Sequence, residues 1–168
     1  MLRIGLTGGI GTGKSTASKI LSDLGSYIFD ADKEAKEILL SNEIIKNELI
    51  SEFGSDIMTG DGKVDNNKLA RVAFQDQDHQ LRLNTIIHPY VFKEIDKCFD
   101  KELENGNHDV FVVDAALIYE SGSDTHMDYV IVITTLIKIR MERALARETL
   151  SREEILKRID LQWPEEEK

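Results

Sequence analysis

A glycine-rich segment with a lysine and two hydroxyl residues lies near the start of the chain. Residues 8–16 read Gly-Gly-Ile-Gly-Thr-Gly-Lys-Ser-Thr, which matches the pattern G-x-x-x-x-G-K-S/T. Glycines let consecutive backbone N–H groups converge on one phosphate, and Lys14 can span the β- and γ-phosphates of a nucleotide. The Ser15 hydroxyl can ligate Mg²⁺. The segment predicts a triphosphate site; the alternative is a glycine-rich turn capped by Ser15 or Thr16.

Carboxylates follow two apolar runs, at the points where strands should end. Asp30 and Asp32 come after the first of these runs, in a strand expected to neighbour the N-terminal strand, and Asp114 comes after the second. Ligands of open α/β sheets bind at the carboxyl ends of strands, where an acid can take the proton of an attacking hydroxyl. Asp114 fits a carboxylate aimed at Mg²⁺, directly or through water. A helix N-cap is the alternative role for Asp32 and also for Asp114, so the two roles stay open here.

Arg140, Arg143 and Arg147 are spaced three and four residues apart and share one face of a predicted helix. Guanidinium groups in such a line can close over a phosphate during transfer, as a lid. The alternative is a solvated face paired with acidic neighbours, and Arg140 in particular is expected to be mostly solvated. These neighbours are Glu142, Glu148 and Glu153.

A parallel sheet is needed to position these side chains. Four apolar runs have strand length, and helical spacing with a C-terminal cap at Gly25 follows Lys14. The strand-length runs are residues 2–6, 27–29, 110–113 and 129–133. Their β-branched composition predicts an α/β fold with a parallel sheet and helices on both faces. The motif of residues 8–15 makes this a P-loop NTPase-type sheet.

The chain is interpreted as a single P-loop domain, 1–168, with two specialised regions. Residues 33–105 show helical apolar spacing without a convincing strand, which predicts a helical lobe inserted after strand 2. Within it, Pro89 is expected at the first position of a helix. Residues 136–162 form the candidate lid, in which Ser151 and Glu154 predict a capping box.

Composition limits the class of function. Hydrophobic residues make up 41% of the chain, enough for a core, and the formal charge of −10 disfavours adhesion to nucleic acid or an anionic membrane. The single Cys98 excludes an intrachain disulfide, and no apolar run has membrane-spanning length. We therefore expect a cytoplasmic protein without nucleic-acid or membrane partners.

In combination these motifs resemble the dephospho-coenzyme A kinases of the P-loop kinase superfamily. The resemblance runs in order along nearly the whole chain. Its parts are residues 6–16, residues 30–32, Phe53-Gly54 with Gly62 and Asp65, Leu83-Asn84 with His88-Pro89, residues 114–120, and Arg143 with Arg147.

The resemblance implies phosphorylation of the ribose 3′-hydroxyl of dephospho-coenzyme A by Mg·ATP, which yields coenzyme A and ADP. Asp32 then corresponds to the base, Arg147 to a lid arginine and the helical insert to the substrate lobe. The implied nucleotide contacts are Gly9, Gly11, Thr12, Gly13, Lys14, Ser15, Thr16 and Arg143, and the implied metal ligands are Ser15 and Asp114. The alternatives are another small-molecule or nucleoside monophosphate kinase, and a nucleotide-binding module without turnover.

The sequence departs from the family pattern at three places. Ala116 stands where proline is usual, and Asn66 stands where arginine is common. The chain ends at Lys168, whereas the family continues with a further strand and a last helix, which we expect to be missing here.

Overall fold

The computed structural model describes residues 1–147 and 149–168, and the chain divides into two compact units. One unit consists of Met1–Asp32 with Ile95–Lys168, and the other of Lys33–Glu94. Glu148, named above as a possible partner of the arginines, lies outside the described residues.

The first unit is built on a four-stranded parallel sheet, as predicted. Each strand begins within a residue of its predicted position, and the order across the sheet is β2-β3-β1-β4. The strands are β1 Leu2–Thr7, β2 Tyr27–Asp30, β3 Val110–Asp114 and β4 Tyr129–Val132.

The expectation that β2 neighbours β1 is wrong, because β3 lies between them. Asp114 pairs with Leu6 of β1 on one side and with Asp30 of β2 on the other. β3 is the strand best suited to the interior, since Phe111 and Val112 are 0% exposed. A strand covered on both faces and both edges favours such a continuous apolar run. The interior β3 therefore places Asp114 between the end of β1, which leads into the glycine-rich loop, and the end of β2, which leads to Asp32.

Among the residues that the structure describes, three α-helices lie wholly in the first unit: α1 Lys14–Asp23, α6 Ile137–Leu145 and α7 Arg152–Asp160. α1 ends as predicted, with Gly25 in the left-handed region at φ +93°. The predicted capping box of α7 is confirmed, since Ser151 and Glu154 exchange hydrogen bonds. A short 3₁₀ helix, Ser123–His126, precedes β4.

The second unit contains α3 Glu43–Phe53, α4 Asn66–Ala73 and a 3₁₀ turn, Ser55–Ile57. Asn42 and Asp65 cap the two α-helices by accepting hydrogen bonds from backbone N–H groups. The boundaries between the units fall within α2 Ala31–Ser41 and α5 Gln77–Asn105. The helical character predicted for this region is confirmed among the described residues.

The prediction that a helix begins at Pro89 is wrong, because α5 is continuous for 29 residues through that position. An interior proline costs a helix about 3 kcal/mol through its missing N–H and its ring. Ile87, Val91 and Ile95 are nonetheless buried at helical spacing around it. Burial of such side chains contributes about 1.5–3 kcal/mol each, so the apolar stripe offsets the cost of the proline.

Candidate active site

The loop between β1 and α1 has the conformation of an anion-binding turn. The N–H and the hydroxyl of Thr12 both donate to the Gly9 carbonyl, at 3.2 and 2.9 Å. Gly11 and Gly13 adopt φ values of +80° and +105°, which residues other than glycine rarely adopt. Gly13 is the N-cap residue of α1, whose first N–H groups have no intrahelical acceptor. The predicted strand, loop and helix therefore surround a site with N–H donors and a favourable dipole.

Lys14 joins this loop to two carboxylates. Its ammonium nitrogen forms a short ion pair with Asp114 Oδ1 at the end of β3, and lies 3.5 Å from Asp32 Oδ2 at the start of α2. Asp114 is buried, with 7% of the residue exposed. The structure thus brings together Lys14, Asp32 and Asp114, three of the predicted site residues that lie far apart in the sequence.

Opposing influences act on the pKa of Lys14. Burial lowers it, and the charges and hydrogen bonds of Asp32 and Asp114 raise it by more, so the pKa of Lys14 lies above its ordinary value. The lysine therefore stays protonated at neutral pH and carries a full positive charge at the phosphate site.

Burial raises the pKa of Asp32 above the ordinary value for aspartate. The Lys14 charge and the backbone N–H of Ala116 counteract part of this effect, while the neighbouring Asp30 and Asp114 charges add to it. Half of the Asp32 side-chain surface is still exposed. An accessible carboxylate with a raised pKa is suited to accepting a proton.

Asp32 lies within a helix, as the second residue of α2. The N-cap alternative placed it just before that helix. Ala116, whose N–H contacts Asp32, also accepts a hydrogen bond from the Thr7 hydroxyl at 3.1 Å. The ends of β1 and β3 and the start of α2 therefore fix the position of this carboxylate.

Oxygen ligands for a divalent cation lie at the same edge of the sheet. Ser15 and Thr16 are exposed in the first turn of α1, and the Asp114 carboxylate is held by Lys14. Among residues 1–147 and 149–168, no group of three or more His, Cys, Asp or Glu side chains is placed to hold a metal. Mg²⁺ usually takes only one or two protein carboxylates and completes its shell with phosphates and water. The donors present fit Mg²⁺ that arrives with a nucleotide.

The three arginines occupy different environments. Arg140 is buried, with 6% of the residue exposed, so the expectation that it is mostly solvated is wrong. Its guanidinium contacts the Ile10 carbonyl and Glu165, whereas Arg143 donates to the Thr12 carbonyl at 3.2 Å. Arg147 lies beyond the end of α6 and is exposed.

Glu165 and the backbone of Ala116 are the site-related groups that sequence reasoning missed. Glu165 stands in a run of three glutamates, Glu165 to Glu167, so its position does not distinguish it from its neighbours. The Ala116 contact comes from a backbone N–H, so the residue type at this position gives no indication of it.

In the part of the chain that the structure describes, no helix is both long and apolar enough to cross a membrane.

Comparison with known proteins gives a consistent result. A family model described as "Dephospho-CoA kinase" matches residues 2–168. A dephospho-CoA kinase of Carboxydothermus hydrogenoformans is 42% identical over 165 residues, which cover 98% of this chain and 80% of that protein. One of Corynebacterium glutamicum is 39% identical, covering 99% of this chain and 85% of that protein.

Solved structures agree with the sequence comparisons. The crystal structure of TT1252 from Thermus thermophilus matches with a TM-score of 0.78 and 31% identity, over 99% of this chain and 82% of that one. A dephospho-CoA kinase from Campylobacter jejuni matches with a TM-score of 0.63 and 28% identity, over 95% of this chain and 79% of that one.

Proposed function

The chain belongs to the dephospho-CoA kinase family. We propose that it transfers the γ-phosphoryl group of ATP to the ribose 3′-hydroxyl of dephospho-coenzyme A, at the site formed by Lys14, Asp32 and Asp114. The family catalyses the last step of coenzyme A biosynthesis, and family membership implies ATP and dephospho-coenzyme A as substrates. The main support for this site is that Lys14 of the loop lies close to the carboxylates of both Asp32 and Asp114.

The glycine-rich loop binds the phosphates of ATP. Backbone N–H groups of the loop and of the first turn of α1 surround the β-phosphate, and Lys14 neutralises charge on the β- and γ-phosphates. Arg143, which contacts the loop at Thr12, adds positive charge at the same place. The residues in this role are Gly9, Gly11, Thr12, Gly13, Lys14, Ser15, Thr16 and Arg143.

Ser15 and Asp114 hold Mg²⁺ in this proposal. The ion would supply positive charge that offsets the negative charge developing on the phosphates during transfer. The Lys14 ammonium forms an ion pair with the Asp114 carboxylate. On binding, Lys14 exchanges this partner for phosphate oxygens and leaves Asp114 available as a ligand.

Asp32 is the general base. Its ionised carboxylate accepts a hydrogen bond from the ribose 3′-hydroxyl, whose oxygen forms the bond to the γ-phosphorus as the bond to the ADP oxygen breaks. The hydroxyl proton passes to Asp32 late in this step, because the transition state is loose. The raised pKa of Asp32 supports the role, since a base is most effective when its pKa is near the working pH.

Arg147 contributes charge stabilisation to the transferring phosphoryl group, as part of the lid proposed for residues 136–162. The exposure of its side chain leaves it accessible to a ligand. We place the substrate-binding lobe at residues 33–105, because Lys33–Glu94 is a compact helical unit by itself.

We also propose that the protein is cytoplasmic and has no nucleic-acid or membrane partners. The net charge of −10 and the single cysteine support this proposal.

A coupled assay of ADP release tests the proposed function. The chain is supplied with Mg·ATP and one acceptor at a time: dephospho-coenzyme A, nucleoside monophosphates, shikimate or gluconate. We expect turnover that depends on dephospho-coenzyme A. Preference for another acceptor would indicate a different small-molecule kinase, and saturable ATP binding without turnover on any acceptor would indicate a nucleotide-binding module.

A further inference from the structure

We propose that Arg140 is a positioning residue of the phosphate-binding loop, and that Glu165 orients it. Together they hold the loop in its anion-binding conformation before nucleotide arrives. The inference rests on the proposed function for the identity of the nucleotide site. In this proposal Arg140 holds a loop carbonyl and does not close over the phosphates as a lid residue.

The guanidinium of Arg140 is held between the loop and the C-terminal segment. Its Nε donates to the Ile10 carbonyl at 3.0 Å, and its Nη1 donates to Glu165 Oε1 at 2.6 Å. The Arg140 side chain is 8% exposed and that of Glu165 is 22% exposed. Charge-assisted hydrogen bonds shielded from solvent fix geometry strongly, because a buried charge that loses its partner is costly.

Two loop glycines make room for this contact. A Cβ at Gly9 would fall on the guanidinium of Arg140, and a Cβ at Gly11 would fall on the Arg140 backbone carbonyl. Gly11 also has a φ of +80°. The loop and α6 therefore approach as closely as backbone permits, so these glycines serve the contact with Arg140 as well as the phosphate.

An anion-binding loop must turn its carbonyl oxygens away from the anion. Side chains donate to loop carbonyls: the Gly9 carbonyl accepts from the Thr12 hydroxyl, that of Ile10 from Arg140 and that of Thr12 from Arg143. Without the Arg140 bond, the Ile10 peptide is free to rotate, and its oxygen can turn toward the phosphates. Removal of the guanidinium should therefore weaken phosphate binding even where the fold is intact.

The test compares three variants with a matched control. Arg140→Met removes the charge and both bonds, Arg140→Lys keeps the charge but loses the planar donor geometry, and Glu165→Gln removes only the orienting charge. Arg3→Met, at the start of β1, is the control for loss of a shielded arginine, because the Arg3 side chain is 14% exposed and pairs with Asp96 at 2.8 Å. Calorimetry measures the Kd of inorganic tripolyphosphate and of Mg·ADP, well below each variant's unfolding temperature.

We expect Arg140→Met to raise both Kd values by about tenfold or more, the size expected for a lost bond to a charged donor. Arg140→Lys and Glu165→Gln should give smaller increases, and Arg3→Met should bind as the unchanged chain does. In turnover, the KM for ATP should rise in Arg140→Met while the KM for dephospho-coenzyme A stays the same.

A folded Arg140→Met variant that unfolds earlier but binds tripolyphosphate normally would overturn the proposal, since Arg140 would then only stabilise the fold. If that variant does not fold, unchanged affinity in both Arg140→Lys and Glu165→Gln overturns it instead. Failure of the proposed function is distinguishable: the unchanged chain would bind tripolyphosphate and ADP but would not use dephospho-coenzyme A. Absence of tripolyphosphate binding in the unchanged chain would reject the phosphate site and the role of Arg140 together.

Discussion

Replacement of Asp32 by asparagine separates a general base from a structural partner of Lys14. The Asp32 Oδ2 atom lies 3.5 Å from the Lys14 ammonium, and half of the Asp32 side chain is exposed. Two unit charges at that separation in water interact by about 1 kcal/mol, and exposed ion pairs contribute about that much at most. Loss of the ion pair therefore explains about a fivefold change in rate. Loss of a general base lowers the rate by about 10²–10⁴-fold, which is about 3–5.5 kcal/mol.

The assay is ADP release at saturating ATP and dephospho-coenzyme A, combined with thermal unfolding. We expect kcat of Asp32→Asn to fall at least about 100-fold, with the KM for ATP little changed. The exposed Asp30 at the end of β2 provides the matched control, and Asp30→Asn should lower kcat less. A kcat of Asp32→Asn within about fivefold of the unchanged chain would refute the base assignment, because the lost ion pair accounts for a change of that size.

The raised pKa of Asp32 adds a pH dependence to this prediction. The carboxyl must be ionised to accept the proton, so kcat/KM should increase with pH through a pKa above the usual ~3.9 of aspartate. Asp32→Asn should lack this acid limb. A carboxyl whose folded-state pKa is raised contributes stability below its unfolded pKa, and this contribution is lost as pH rises through the folded value. At neutral pH, Asp32→Asn should therefore not unfold at a lower temperature than the unchanged chain.

Three further changes test other parts of the site. Lys14→Ala should lower kcat by about 10³-fold or more with the fold retained by circular dichroism, and near-normal turnover would contradict the role of the loop. Asp114→Asn should raise the Mg²⁺ concentration for half-maximal rate by about tenfold, as measured by titration, and an unchanged requirement would exclude Asp114 as a ligand. Arg147→Lys should lower kcat more than the same change at Arg143, because lysine loses the two-pronged donor geometry; equal, small effects would favour a solvated arginine face.

The sequence alone was sufficient where the signal is local. The glycine-rich loop is recognised from a contiguous pattern of residue types, and the structure confirms its place between β1 and α1. Ser151 with Glu154 likewise predicts a capping box from two residues three positions apart. The apolar runs predict four strands, and the family matches confirm the fold class and the kinase family. The roles assigned to the individual site residues stay predictions.

Properties that depend on distant partners were not available from local patterns. β3 displaces β2 from β1 because the most apolar run takes the centre of the sheet, and this order places Asp114 beside Lys14. The helix at Pro89 continues because buried residues on both sides offset the cost of the proline.

The burial of Arg140 is the clearest example of a property that local sequence patterns do not predict. From helical spacing it is equivalent to Arg143 and Arg147, three polar residues on one face of an amphipathic helix. In the folded chain that face meets the carbonyl side of the loop, and Glu165 supplies a counter-charge that allows Arg140 to be buried. Residue type and spacing fix which groups can donate or accept, but burial depends on what the rest of the chain packs against them. The sequence by itself determined the phosphate-binding loop and the family, and only the tertiary structure decided which arginines contact the loop and which carboxylates surround Lys14.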